Sequence, residues 1–526
     1  MLVRNLARRV RAKWVFSCLL VFSVALLNDR AEAQDPDPDG PEIEPMASAE
    51  VSANLRTEEQ MARADSIALA PLVKETSVVP FMPTIDPATY RVAKNSANAL
   101  GPVREKPVIQ PAAPLGPVPI LGNFEGVNQT SAGGARPPDT EGAVGHTQFV
   151  EVVNQRVVVY GKTGVFLKST ALGAFFGTSE FIFDPRVVYD RDWQRWVLVA
   201  SRRSTSSTDT VRRFFLAVSR TSDATGAYFI YFMSFNGGPF NNGDWWDFPQ
   251  LGIDQDAVLV TGNIFDTPTG PFRFAALLPV AKARVYNGLS FSVPIFTGLV
   301  GTLAPPIVRD QNAATFLIAA PPNSNALRKY TLRDSSRVPG VALFGPVNIA
   351  VPGYSIPPDA HQFGTTDRLD TSDGRFVNAS TQKGNDLWQV HTIALGSFPA
   401  PKFYRINTAT NTVTTSGFFF ASPSSDDWNA SIAANDSNQA IATWSSTNRS
   451  LGINAQVRVT SGPSGAGTVL FTSPTFYNPS IDNPERWGDY SAITVDPVLQ
   501  NHAWLVNEKI NSQSVWGSRF GHVTFP

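Results

Sequence analysis

From residue 139 onward the chain shows no sustained helical periodicity. Short runs rich in Val, Ile, Phe, Tyr and Trp alternate instead with clusters of Gly, Pro, Asn, Asp and Ser. That pattern predicts many short strands joined by turns. The stretch "DPRVVYDRDWQRWVLVA" (184–200) runs acid, apolar run, polar turn, second apolar run, and "APPIVRDQNAATFLIAA" (304–320) repeats it without a gap. Val187-Val188 fall on Ile307-Val308, Asp190 on Asp310, and Trp196-Val197-Leu198 on Phe316-Leu317-Ile318. Looser copies begin at 139, 247, 359, 427 and 489, giving seven units. Each unit has room for four strands of about 5 to 6 residues plus turns. A four-stranded antiparallel sheet cannot bury both faces alone, but seven arranged radially bury one another. The expected fold is therefore all-β, a seven-bladed β-propeller over residues 119–526. The last unit is one strand short, and "ILGNFEGV" (120–127) is expected to complete it.

The unit starts "PPDTEGAVG", "FDPRVVYD" and "RWGDYSAITVD", with "AVSRTSDATGAYFIYF" (217–232), carry a family resemblance. The chain resembles secreted bacterial seven-bladed propellers of the sialidase-like, BNR-repeat type over roughly residues 120 to 526. Ser222, Asp223, Gly226 and Tyr228 stand near the places of an Asp-box turn. This implies an Asp bonded to local backbone, a Gly at positive φ and an aromatic ring packed between sheets, all structural roles. A sialidase would also need an arginine triad, a Tyr with a Glu partner and a mobile Asp. Arg186 and Arg486 sit close to unit starts, but no Tyr–Glu pair falls on matching positions.

The N-terminus reads differently. A basic stretch from Arg4 to Lys13, an apolar run from Trp14 to Leu27 and Ala31-Glu32-Ala33 form a secretory signal over residues 1–33. Arg8-Arg9 leaves the general secretory and twin-arginine routes both open. Residues 34–118, acidic and then proline-rich, offer little to bury and read as a disordered spacer, with a weak helical signal in "SANLRTEEQMARADSIALA". No later run is long enough to span a membrane. The expected location is secreted, periplasmic or extracellular. The only cysteine, Cys18, lies inside the signal, so the exported chain must be held by its core rather than by disulfides. With a net charge of -1 and 17% charged residues there is no basic field for nucleic acid. The expected partner is an extracellular glycan or protein, bound by a monomer without membrane insertion.

Candidate chemistry gathers at the unit starts. Asp139, Asp184, Asp247, Asp359, Asp427 and Asp489 open six units, and Ala304 opens the other. Six carboxylates at one channel mouth could bind sugar hydroxyls, supply an acid/base pair or hold a hard cation such as Ca²⁺; no other cofactor is implied. The plainer reading is a repeated turn cap. Trp245, Trp246, Trp428 and Trp487 lie beside these acids, as a stacking platform for sugar rings or as core, with Trp245 expected to be the most exposed. His361 stands near Asp359, and His146 follows Asp139 where other units have Asp254 and Asp496. The catalytic candidates are Asp359, His361, Asp184 and Arg186, and the ligand-binding candidates are the remaining Asp and Trp residues with Arg486. The leading expectation is a propeller that binds carbohydrate at its channel mouth. The alternatives are a glycoside hydrolase or polysaccharide lyase, and a structural or protein-interaction module.

Overall fold

The computed structural model describes residues 39–56, 79–100 and 117–525, apart from 236, 268, 463 and 464. The expected signal, residues 1–33, lies outside the described residues. Strand accounts for 52% of the structure and helix for 5%, in agreement with an all-β chain.

The strands form successive four-stranded antiparallel sheets, each a meander in chain order. The first sheet runs from Glu141–Val144 to Phe166–Ala171, the second from Ile182–Asp190 to Tyr228–Ser234, and the third from Trp245–Ile253 to Phe291–Leu299. The fourth spans Leu303–Ala304 to Ala342–Ala350, the fifth Ser380–Lys383 to Thr412–Phe418, and the sixth Asp426–Ala434 to Thr468–Thr472. The seventh contains Ala492–Val495, His502–Ser512 and Val515–Thr524, and its outer strand is Ile120–Asn128, paired antiparallel with Val515–Thr524. Phe520 of that sheet packs on Phe149 (5.0 Å) and Tyr160 (4.6 Å) of the first, joining the two ends of the strand-bearing region. Sheets covered on both faces bury their strands at successive positions rather than at alternate ones. Arg195–Arg202, Ala257–Phe265 and Ala440–Asn448 are accordingly buried at nearly every position. First strands of neighbouring sheets lie parallel where they meet, with Ile253 opposite Ile307 and Pro306 opposite Ser380.

Part of the expected spacer is ordered. Glu42–Ile43 pairs with Ala342–Ala350, Ala47–Val51 with Phe291–Leu299, and Ala53–Arg56 with Tyr228–Ser234. The N-terminal segment thus adds a fifth strand to the outer edges of the fourth, third and second sheets in turn. An outer strand presents unpaired N–H and C=O groups, and these accept an extended segment whatever its charge. The expected helix beginning at Ser52 is strand over 53–56, and its remainder lies outside the described residues. A helix does form at Pro87–Asn98, where Pro87 suits the first turn and the Asp86 side chain accepts from Thr89 N at 2.8 Å.

In the 217–232 stretch Asp223 accepts from Thr225 N (2.9 Å) and Gln148 Nε2 (2.7 Å), and Tyr228 is buried. Gly226 is not at positive φ, contrary to the Asp-box expectation; its N–H closes a turn onto Asp223 O.

Candidate functional site

The unit-start acids do not share one structural position. Asp139 (φ 49), Asp184 (φ 51), Phe248 (φ 51) and Asn429 (φ 52) occupy the left-handed region as their strands begin. Bulges fall between Asp247 and Gln250 and between Trp428 and Ser431. The second sheet has the same bulge between Phe183 and Arg186, so Phe248 and Asn429 are the residues equivalent to Asp184, and Asp247 and Asp427 stand one and two positions before them. Asp427 accepts from Trp444 Nε1 (2.9 Å), Ser425 Oγ (2.6 Å) and Ala421 N (2.9 Å), all in or beside its own sheet. Asp359 pairs with Lys94 Nζ (2.8 Å) and Asn98 Nδ2 (2.8 Å) of the N-terminal helix. It does not pair with His361, whose Nδ1 lies 3.3 Å from Asp426.

Asp139, Asp184, Asp247 and Asp489 do converge, but on a buried network rather than on solvent. Asp139 accepts from Asn154 Nδ2 (2.5 Å) and Asp489 N (2.8 Å), and Asp184 from Tyr490 Oη (2.6 Å). Arg486 bridges Asp489 and Asp370 at 2.8 Å each. Arg375 is paired with Asp373 (2.8 Å) and lies 4.6 Å from the ring centre of Phe248. Arg186 covers the Tyr490 ring at 3.3 Å. Burial, reinforced by the neighbouring acids, raises Asp139 well above the usual carboxylate range; burial with the Asp247 and Asp489 charges lifts Asp184 to about 7. Burial likewise lifts Asp247 to about 7, against the pull of Arg375. Among the described residues, no group of three or more His, Cys, Asp or Glu is arranged to hold a metal ion.

The indoles beside these acids are core. Trp245, Trp246, Trp428 and Trp487 are each at most 2% exposed, and Trp245, expected to be the outer one, packs against Phe183 and Phe265. Trp246 lies on Phe214 (5.0 Å), and Trp428 meets Trp487 edge-on at 5.4 Å. Their apolar area is satisfied by neighbouring sheets, so these four indoles offer no stacking platform.

A polar floor separates this network from an open space. Arg186 pairs with Glu141 (2.7 Å) and donates to Pro249 O and Val377 O. Asn378 Nδ2 donates to Ser431 Oγ (3.2 Å) and Ser491 O (2.6 Å). Beyond the floor, toward the strand ends, lies a cavity of about 970 Å³ counted with the solvent open to it, with residues from the first strands of the seven four-stranded sheets in its wall. Val187, Ile253, Ile307, Ile432 and Ile493 make the wall apolar, while Glu141 and Asn378 form its base. Burial lifts Glu141 to about 7 even though Arg186 opposes the shift.

The rim is built by the turns that end the first strands. Asp190, Asp254 and Asp496 each accept from the backbone N–H groups two and three residues on, the Asx-turn geometry. Asp190 also holds Lys282 (2.6 Å) and the Tyr286 hydroxyl (2.8 Å). Arg191 and Arg309 share Asp436 at 2.7 and 2.9 Å, and Arg309 reaches Gln500 at 2.5 Å. This links turns of the second, fourth, sixth and seventh sheets. Burial alone would raise Asp436, but the two guanidiniums hold it lowered. On the same turn as Arg191, Trp193 is 42% exposed, its ring edge-on to Tyr286 at 5.5 Å. The sequence signal for this rim was the "DRDWQR" turn, where a large indole stands among charges with no apolar neighbour to bury it.

No family model matches the chain, and no curated protein sequence matches it. Among solved structures it is similar to the Trypanosoma rangeli sialidase, at 9% identity and a TM-score of 0.31 over 64% of this chain. The match spans about half (54%) of that enzyme's length. It is also similar to the exo-β-1,3-galactanase of Phanerochaete chrysosporium (12% identity, TM-score 0.29, 74% of this chain and 94% of that one). A third is a polysaccharide lyase of family PL25, an ulvan lyase (10% identity, TM-score 0.35, 64% of this chain and 73% of that one). No helix among the described residues is long and apolar enough to cross a membrane.

Proposed function

We propose that the chain is an exported seven-bladed propeller that binds an extracellular carbohydrate in the cavity at the strand-end mouth. The observation that carries this reading is the cavity itself, open to solvent and walled by side chains from the first strands of all seven four-stranded sheets. Sugars present both apolar C–H faces and dense hydroxyls. Aliphatic walls and a rim of charged donors and acceptors suit both, and Trp193, which does not line the cavity itself, is exposed on the turn that carries Arg191. Calorimetric titration of the exported chain with an oligosaccharide panel tests it. At least one saccharide should bind, and Trp193→Ala or Arg191→Ala should weaken that binding at least tenfold. Absence of binding across the panel, or binding indifferent to both changes, would refute it.

A second reading, a glycoside hydrolase or polysaccharide lyase, is favoured by Glu141. This carboxyl faces the cavity and is held near 7, where a group can both give and accept a proton. It predicts reducing ends or unsaturated products from a polysaccharide panel, abolished in Glu141→Gln; a panel without product leaves binding alone.

A further inference from the structure

The strand-start mouth is closed by the chain's own residues 79–98. The way they are held is unlike the rest of the fold. This segment adds no strand to any sheet. Its helix, Pro87–Asn98, has one buried residue, and that residue is Lys94. The ammonium sits in a polar cage, paired with Asp359 (2.8 Å) and donating to Thr371 Oγ1 (2.8 Å), Ser372 O (2.9 Å) and Pro357 O (3.0 Å). Upstream, Phe81 lies under two guanidiniums, 4.6 Å from Arg375 and 5.7 Å from Arg486. The backbone carbonyls on either side accept from the same pair, Met82 O from Arg375 (2.7 Å) and Val79 O from Arg486 (3.3 Å). Val79, Met82 and Pro83 are buried, the first two against Phe183, Trp245 and Phe265, and Tyr90 of the helix packs its ring on Phe81 at 5.4 Å.

A helix that packs as part of a core buries an apolar stripe. One that buries a lysine and relies on a few anchors upstream is held as a peptide ligand is held: aryl ring, carbonyls and ammonium each in a separate fitted place. Beneath it the fold leaves only a narrow gap, bordered by Arg375, Asp489, Asp370 and Trp428.

We propose that the strand-start mouth is a peptide-binding site occupied here by the chain's own residues 79–98. Its external ligand is a peptide that presents an aromatic ring to Arg375 and Arg486 and a primary ammonium to Asp359. The site is distinct from the strand-end cavity, and neither reading depends on the other. Because the resident is tethered, it competes at high effective concentration, so an outside peptide gains access only when the resident's anchors are weakened.

The probe is a fluorescein-labelled synthetic peptide of residues 79–100, titrated by anisotropy into the full chain. The Met82→Ala/Lys94→Ala variant should bind it at least tenfold more tightly than wild type, and adding Asp359→Asn should reduce that binding at least tenfold. Hydrogen exchange supplies the second readout: amides of 87–98 should exchange at least tenfold faster in Lys94→Ala while strand amides are unchanged. Equal or absent peptide binding in wild type and variant would overturn the proposal. So would a variant that loses its cooperative melt, or helix and strand amides that lose protection together, because the segment would then be part of the folding core.

Discussion

Replacing Glu141 by Gln gives a stability difference that depends on pH with a sign set by the structure. The carboxyl lies at the base of the cavity beside Arg186, yet burial raises it from 4.5 to about 7. A folded-state value above the unfolded one means that the native protein holds the proton more tightly. Stabilisation from this group is therefore complete below pH 4.5 and is lost as pH rises through 7. At about 1.36 kcal/mol per unit, the loss between about pH 5 and pH 8.5 comes to roughly 2.5 kcal/mol. Glutamine does not titrate, and its effect on the buried Arg186 guanidinium is the same at both values. The variant should therefore gain about 2.5 kcal/mol on wild type between about pH 5 and 8.5, whatever its absolute stability. Guanidinium denaturation of both proteins at the two pH values measures this directly. A difference independent of pH, or one that moves the other way, would refute the assignment of a buried, proton-holding carboxyl at the cavity base.

Two further outcomes follow from packing and charge. Phe520→Ala removes a ring fully buried between the first and last sheets and should cost about 3–5 kcal/mol in chemical denaturation; a loss under about 1 kcal/mol would mean that the sheets do not depend on this contact. Asp436→Asn unties Arg191 from Arg309, but the carboxylate is 35% exposed, so stability should change by no more than about 1 kcal/mol. Stopped-flow association of a bound saccharide should quicken in that variant, and unchanged kinetics would show that the tied rim does not limit entry.

The strand content was legible because it rests on local patterning. The repeat of 184–200 at 304–320 carries it, with Trp196-Val197-Leu198 and Phe316-Leu317-Ile318 each inside a buried second strand. The carboxylates were misaligned because Asp does not keep one register position: the same bulge occurs in all three sheets, and its left-handed residue is Asp184, Phe248 or Asn429, one residue after Asp247 and two after Asp427. The tryptophans beside them have the residue type of a sugar platform and the environment of a core, and only packing distinguishes the two. Residues 39–56 look like a spacer because their partners are outer strands more than a hundred residues away. Which mouth is open was not written locally either, since closure of one depends on Lys94 meeting Asp359 across 265 positions.

The most direct test of the central claim is to fill the cavity. Ile307 is partly exposed in its wall, and Ile307→Trp would place an indole in the space assigned to ligand. With the saccharide that binds wild type best, calorimetry should show at least a tenfold loss of affinity in a variant that keeps its melting profile. Undiminished binding with the cavity filled would place the ligand elsewhere and contradict the account.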